Sequence, residues 1–283
     1  MIPLRQIDGI KLWRVEHRFS GKDMVQPLHR HSFYYILALK EAAGEHSIDF
    51  TPYKITDNTI FLVRPGQVHG LTFEKPSTGY LLQFAEDFYP AIRRSPGQLF
   101  RVFGQRNICA LDADRSKKLF SILALMLDEY DGRQERYLEV IRAGLEIFFI
   151  ELSRQCSLPP APTPCVGTPS SPCVGGNTQE RLEALLALIE RHISTHKEVA
   201  WYAGKLRLTS YQLNAATKTA LGKTCSEVID AHIVLEAKRH LLATSNQVKQ
   251  IAGDLGYDDV SYFIRFFRKH TGYSPESFRQ HFG

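Results

Sequence analysis

Three histidines stand where imidazoles can do chemistry: His29 and His31 in PLHRHSFYYI, and His69 in RPGQVHG. On an extended strand, His29 and His31 share a face with Phe33 and Tyr35. Three imidazoles can hold zinc or another transition metal. Alternatively His31, Tyr35 and His69, with Gln83, line a small-molecule pocket that sets a few polar groups among aromatics. A second constellation lies in IAGDLGYDDVSYFIRFFRKHTG, residues 251–272. Val260, Phe263, Phe266 and Phe267 recur at the spacing of one buried helical face. Ser261, Tyr262, Arg265, Arg268 and Lys269 fall on the opposite side. Such a stripe is either an ordinary solvated face or a surface for nucleic acid, with Arg and Lys reaching phosphates and base edges.

These residues need elements to position them. In the first ~110 residues FYYILAL (33–39), SIDFTPYKI (47–55), TIFLVRP (59–65) and GYLLQFA (79–85) read as short strands bounded by turn residues, as in a sandwich or barrel. Two amphipathic helices follow. One carries Leu119, Ile122, Leu123 and Met126, and the other Leu138, Ile141, Leu145, Phe148, Phe149 and Leu152. They either pack on the barrel or present a dimer surface. Residues 157–177 hold six of the fourteen prolines and repeat PCVG, which reads as a linker. Cys165 and Cys173 within it fit no zinc spacing.

Beyond the linker the pattern is helical and duplicated. Val248, Ile251, Ala252 and Leu255 mark a short helix, with Ser245 and Asn246 as expected caps. Gly256 supplies a sharp turn, and the cationic helix follows, which is a helix-turn-helix arrangement. The stretch 199–223 aligns with 248–273: Ala203, Gly204 and Leu206 match Ala252, Gly253 and Leu255. After one extra residue in the second turn, Leu213, Lys218 and Gly222 match Phe263, Arg268 and Gly272. Between the copies EVIDAHIVLEAKRHLLAT lacks proline and glycine; as a helix it spans roughly 27 Å, near the ~34 Å between successive major-groove faces. A stiff strut holding two reading heads is the expectation.

IAGDLGYDDVSYFIRFFRKHTGYSPESFR resembles the signature of AraC/XylS-type transcription regulators, and residues 178–283 resemble their whole DNA-binding domain. The resemblance implies recognition helices at about 209–221 and 259–271. The DNA contacts would be Ser210, Tyr211, Gln212, Asn214 and Lys218 from the first, and Ser261, Tyr262, Arg265, Arg268 and Lys269 from the second. The first offers no arginine, so fewer guanine contacts are expected there. The N-terminal half is similar to the cupin-type barrel that such regulators often carry for an effector. His29, His31 and His69 match the metal-ligand positions of metal-dependent cupins, but Tyr35 stands where their glutamate would be.

The totals narrow the classes. With 283 residues, 43% apolar and 23% charged, the chain has room for two folded domains and is not a disordered protein. Its net charge is +5, yet residues 178–283 hold 14 Lys and Arg against 11 Asp and Glu. DNA affinity must therefore come from local placement of charge. There is no Cys-x-x-Cys pair among five cysteines, no apolar core of a signal peptide and no span-length apolar run. These point to a reduced cytoplasmic protein without membrane partners.

The expectation is an α+β protein: a cupin-like barrel with two following helices (1–155), a Pro-rich linker (156–177) and an AraC-type DNA-binding domain (178–283). It would regulate transcription under a small-molecule effector, without catalysis and without a cofactor. Its partners would be double-stranded DNA, the effector, a second copy of the chain and RNA polymerase. The alternatives are a metal-dependent cupin enzyme with a DNA-binding tail and an effector-independent DNA binder.

Overall fold

The computed structural model describes residues 4–5, 9–19, 25–74, 76–89, 107–156 and 176–282. The chain divides into two compact units, residues 2–161 and 162–283. Residues 157–175, with Cys165 and Cys173, lie outside the described residues. Gly176 and Asn177, read as the end of the linker, instead open a helix.

The first unit begins with β1 (Leu4–Arg5), β2 (Ile10–Arg14) and α1 (Val15–Arg18). It continues through β3 (Val25–His31), β4 (Tyr34–Glu41), β5 (Gly44–Ile48), β6 (Thr51–Ile55) and β7 (Thr59–Val63). Then come β8 (Val68–Phe73), β9 (Thr78–Phe84) and β10 (Ile108–Ala110), followed by helices α2 (Ala113–Gly132) and α3 (Tyr137–Cys156). The strands form two facing sheets, β1-β3-β8-β5-β6 and β10-β7-β4-β9-β2. The described ladders are antiparallel apart from β1 beside β3. This is the cupin-like barrel, and with the helical second unit it makes the protein α+β.

The second sheet is covered on both faces. Leu37, Leu39, Phe61, Val63 and Leu81 meet Ile48, Ile55, Leu71 and Phe73 inside the barrel. Ile36, Ala38, Ile60, Leu62, Leu82 and Phe84 pack outward against Leu119, Leu123, Met126, Ile141, Leu145 and Phe148 of α2 and α3. Strands buried on both sides read as unbroken apolar runs, which is why β4, β7 and β9 stand out in the sequence. The first sheet has a wetter outer face; its strand β8 (VHGLTF) was not anticipated, and β3 (VQPLHRH) only through the extended stretch that carries His29 and His31.

Two expected strands are cut differently. Residues 47–55 break at Asp49 and Phe50, both left-handed (φ 48° and 66°), giving the two-residue hairpin turn whose twist suits adjoining strands. The expected common strand through His29, His31, Phe33 and Tyr35 also breaks, because β3 ends at His31 and β4 starts at Tyr34 in the other sheet. The rings nevertheless converge inside the barrel: His31 stacks on Phe33 at 4.2 Å and 11° and on Tyr35 at 5.6 Å and 18°. Cys109 is disulfide-bonded, against the expectation of a fully reduced protein. Cys225 is a buried free thiol, and burial pushes its pKa up to about 11.

The second unit holds α4 (Gly176–His192), α5 (Val199–Lys205), α6 (Ser210–Leu221) and α7 (Cys225–Ala243). It ends with α8 (Val248–Asp254), α9 (Val260–Thr271) and α10 (Pro275–Phe282). The connector α7 starts at a capping box, in which Thr224 and Glu227 bond each other's backbone N–H, as the Thr-x-x-Glu spacing dictates. Its C-terminal end is closed by Arg279, whose guanidinium donates to Leu241 O (2.9 Å) and Asn246 O (2.6 Å). Val228, Ile229, Ile233, Val234, Ala237, Leu241 and Leu242 are all buried, and α4, α6, α8, α9 and α10 pack around this helix. Apolar burial on every side marks a core helix. The connector, expected as a stiff strut between two reading heads, is thus also the buried axis of one domain. The expected caps Ser245 and Asn246 are replaced by Gln247, whose side chain makes no capping bond.

Candidate nucleic-acid interface and barrel cavity

The duplication survives in three dimensions. Helices α5 and α8 each end in the same Schellman turn, with C-caps Leu206 (φ −87°, ψ 2°) and Leu255 (φ −87°, ψ 7°). Leu208 N–H donates to Ala203 O and Arg207 N–H to Gly204 O; Tyr257 N–H donates to Ala252 O and Gly256 N–H to Gly253 O. This bond pair needs a left-handed residue. The second repeat supplies Gly256 (φ 70°), whereas the first repeat carries Arg207 at φ 55°. Helices α6 and α9 follow, each 12 residues long, and end at left-handed Gly222 and Gly272.

Most of the expected DNA contacts are exposed, but two are engaged within the chain. On α6, Ser210, Gln212 and Lys218 are exposed and Tyr211 is 83% accessible. Gln212 belongs to a capping box: Thr209 N–H donates to its Oε1 at 2.9 Å. Asn214 is half-buried; its Oδ1 accepts from Cys225 N–H (2.9 Å) and its Nδ2 donates to Ser210 O (3.0 Å). That amide ties α6 to the start of α7. On α9, Ser261, Tyr262, Arg265, Arg268 and Lys269 are exposed over a core of Phe263 and Phe267. Phe266 is only half-buried, against Tyr257 and His270. Asp259 caps the helix by accepting from Ser261 N–H at 2.7 Å.

Sequence reasoning missed Lys197. Its Nζ donates to Gly256 O at 2.8 Å and lies 4.7 Å from the Tyr257 ring centre, and desolvation lowers its pKa. Lys197 sits between α4 and α5, so it fastens the entry of the first repeat to the turn of the second. No local periodicity signals such a contact, because its partner is 59 residues away.

In the first unit His31, Tyr35 and Gln83 line one cavity of about 360 Å³. Strand pleating explains the assembly: Lys11 and Trp13 alternate on β2, and Leu81 and Gln83 on β9, with Lys11 opposite Gln83 and Trp13 opposite Leu81. Across from them β3 contributes Gln26, His29 and His31, while Arg18 comes from α1. His69, the remaining expected contact, is fully buried and not part of the lining. Another cavity of about 400 Å³ lies between Gly9, Phe88, Tyr130 and Arg142. It contains none of the expected residues and has fewer buried polar groups converging on it.

The histidines form a directed chain. His31 Nδ1 lies 2.7 Å from Phe33 O; a carbonyl only accepts, so Nδ1 carries the proton and Nε2 is the acceptor. His69 Nε2, 3.1 Å away, then donates to it, and His46 Nε2 donates to His69 Nδ1 at 2.9 Å. The chain ends at His46 Nδ1, an acceptor with no hydrogen-bond partner. Both nitrogens of His31 and of His69 are therefore occupied, and His29 Nδ1 donates to Pro27 O at 2.9 Å. Among the described residues no group of three or more His, Cys, Asp or Glu is placed to hold a metal ion.

Desolvation, with His29 and His31 adding repulsion, lowers the His46 pKa to about 3. The unfolded chain takes up a proton below pH 6.5 that this buried ring refuses. Stability present above 6.5 is thus lost toward pH 3, at up to about 1.4 kcal/mol per pH unit. Urea unfolding across pH 7 to 4 should show this slope, reduced by one proton in His46→Gln. An unchanged slope in that variant removes His46 as its source.

Two family models match the chain. Residues 12–143 match an AraC-like ligand binding domain, and residues 202–281 match a helix-turn-helix domain. Among similar curated proteins is the HTH-type transcriptional activator RhaS of Pectobacterium carotovorum, 24% identical over 269 residues, covering 89% of this chain and 87% of the relative. A RhaS of Escherichia coli is 25% identical over 280 residues, covering 94% and 91%. Among solved structures, the C-terminal domain of the response regulator yesN from Fusobacterium nucleatum is 27% identical. It covers 35% of this chain and 98% of that one, with a TM-score of 0.34. ToxT from Vibrio cholerae is 15% identical over 95% of this chain and 96% of that one, with a TM-score of 0.43. No described helix is long and apolar enough to cross a membrane.

Proposed function

Because the chain belongs to the AraC-type transcription regulators, a DNA-binding family with an N-terminal ligand-binding domain, we propose that a small molecule in the barrel cavity controls how the helix-turn-helix unit occupies DNA. The observation that carries this reading is a pair of turns with the same hydrogen bonds, each followed by a helix of equal length with an exposed face. Ser210, Tyr211 and Lys218 on α6, and Ser261, Tyr262, Arg265, Arg268 and Lys269 on α9, are the surface offered to DNA. Gln212 contributes through its amide nitrogen, since its oxygen is held by the cap, and Asn214 acts inside the domain. On the effector side His31 and Tyr35 serve as ring walls and Gln83 as a polar contact, while His69 acts from behind by fixing His31.

The test is selection of bound sequences from random DNA with the full chain, followed by operator titration with and without a small-molecule ultrafiltrate of cells that express it. Two half-motifs about ten base pairs apart are expected, with occupancy changing when the ultrafiltrate is present. Affinity that ignores the ultrafiltrate favours an effector-independent binder.

Homodimerisation is the second element of the reading. Leu125 on α2 and Val140, Ile147 and Ile150 on α3 are between 36% and 54% exposed, on helices whose other faces pack on the outside of the barrel. Several exposed apolar side chains on one helix pair suit an interaction surface, and a second copy of the chain fits paired operator half-sites. Ile147→Glu with Ile150→Glu should shift sedimentation from dimer to monomer while leaving the melting temperature of the barrel nearly unchanged. A variant that still sediments as a dimer would move the interface elsewhere. RNA polymerase is a natural partner for a chain whose relatives are named activators.

A further inference from the structure

On the reading that this cavity holds the effector, on which the present proposal rests, the chemical character of its lining narrows the ligand. Two cationic side chains, Lys11 and Arg18, stand in that lining, and no described lining residue is acidic. Both are exposed, and neither has a carboxylate partner among the described residues. The Arg18 guanidinium lies 5.7 Å from the Trp13 ring centre and 5.8 Å from that of Phe19. Both distances are within cation–π range, and a guanidinium can meet a carboxylate through two parallel hydrogen bonds. A concave wall holding two cations and no described carboxylate directs their field toward an entering anion.

Deeper in, the lining is aromatic. Phe33 is 3% and Tyr35 2% exposed, and Trp13 is half-buried at the edge. Rings presented in this way favour a flat partner in offset or edge contact. The histidine chain withholds the His31 nitrogens, so that residue offers its ring face and little hydrogen bonding. Polar contact is offered by the amides of Gln83 and Gln26, beside the His29 ring. The Gln26 side-chain oxygen is shielded from solvent and has no hydrogen-bond partner, and an acceptor left so is costly until a donor reaches it.

We infer that the barrel's effector is a small aromatic carboxylate, its anionic group held between Lys11 and Arg18 and its ring against Trp13, Phe33 and Tyr35. A ring hydroxyl donating to Gln26 completes the fit. A neutral polyol would leave both cations unused and set hydroxyls against a ring-lined wall with too few acceptors.

The test uses the full chain, titrated calorimetrically and by thermal shift with benzoate, 4-hydroxybenzoate and 3-phenylpropionate. Benzamide, benzyl alcohol and a panel of neutral hexoses and deoxyhexoses run beside them. Saturable binding of the carboxylates is expected, about tenfold or more tighter than of the uncharged aromatics, as a charge-assisted contact provides. The exposed-site variant Lys11→Gln with Arg18→Gln should lose that preference while keeping its melting temperature. Gln26→Leu should reduce the advantage of 4-hydroxybenzoate over benzoate. Equal binding of benzoate and benzamide, or a preference that survives loss of both cations, overturns the assignment. So does binding of a hexose alone, although the effector cavity itself then stands. If no probe binds, the carboxylate assignment is withdrawn, and the ultrafiltrate titration separately decides whether any effector exists.

Discussion

Gly256→Ala is expected to destabilise the helix-turn-helix unit by about 3 kcal/mol or more, the sum of left-handed strain and overpacking against a rigid neighbour. At φ 70° an L side chain is already strained. The added Cβ would lie 1.9 Å from Ser194 O and 2.8 Å from Lys197 Nζ. The lysine can swing away, but the backbone carbonyl cannot without moving the loop between α4 and α5. Loss should therefore appear in urea unfolding and as faster amide exchange in both repeats, because that loop belongs to the first and the turn to the second. The corresponding position of the first repeat provides the control. Arg207 is left-handed at φ 55° without being glycine, so Arg207→Gly should relieve roughly 1 kcal/mol of strain, less what glycine adds to unfolded-chain entropy. An unfolding midpoint for Gly256→Ala equal to that of the parent would show that Ser194 does not pack on this turn.

Arg265→Ala should weaken operator binding by about 1–3 kcal/mol if the guanidinium reads a guanine edge, and relax selection at one base position. The physical case is its exposure on the side of α9 opposite Phe263 and Phe267, less than one turn beyond Tyr262, which is 56% accessible. Arg268→Ala, nearer the C-terminal end, should instead weaken binding about equally on all sequences and lower the salt slope by about one. Fluorescence anisotropy over a series of salt concentrations separates the two outcomes. Operator affinity indifferent to both substitutions would reject α9 as the docking helix. With only three surplus cations in residues 178–283, each well-placed one carries a large share of the electrostatic attraction.

How much was legible depended on what each residue had to satisfy locally. Helices α2, α3, α8 and α9 could be read because one side of each meets the core and the other meets water. β4, β7 and β9 could be read because burial on both faces leaves no room for polar residues. β8 could not, and β3 only at its His29–His31 end. Their inward positions carry His29, His31 and His69, which are polar side chains that tolerate burial only through one another and a backbone carbonyl. Asn214 looked like a base-reading residue since its spacing fits, yet its amide is taken by Cys225 across a turn.

By itself the sequence determined the two-part architecture, the repeated helix-turn-helix and the outward charge of α9, because periodicity, turn-forming glycine and capping residues act over a few positions. Tertiary structure alone decided that α7 is a core axis, that Lys197 binds one repeat to the other, and that Lys11, Arg18 and Gln26 join His31, Tyr35 and Gln83 around one cavity. Those outcomes depend on side chains brought together from distant strands and helices, and no pattern within a single segment encodes which distant surface it will meet.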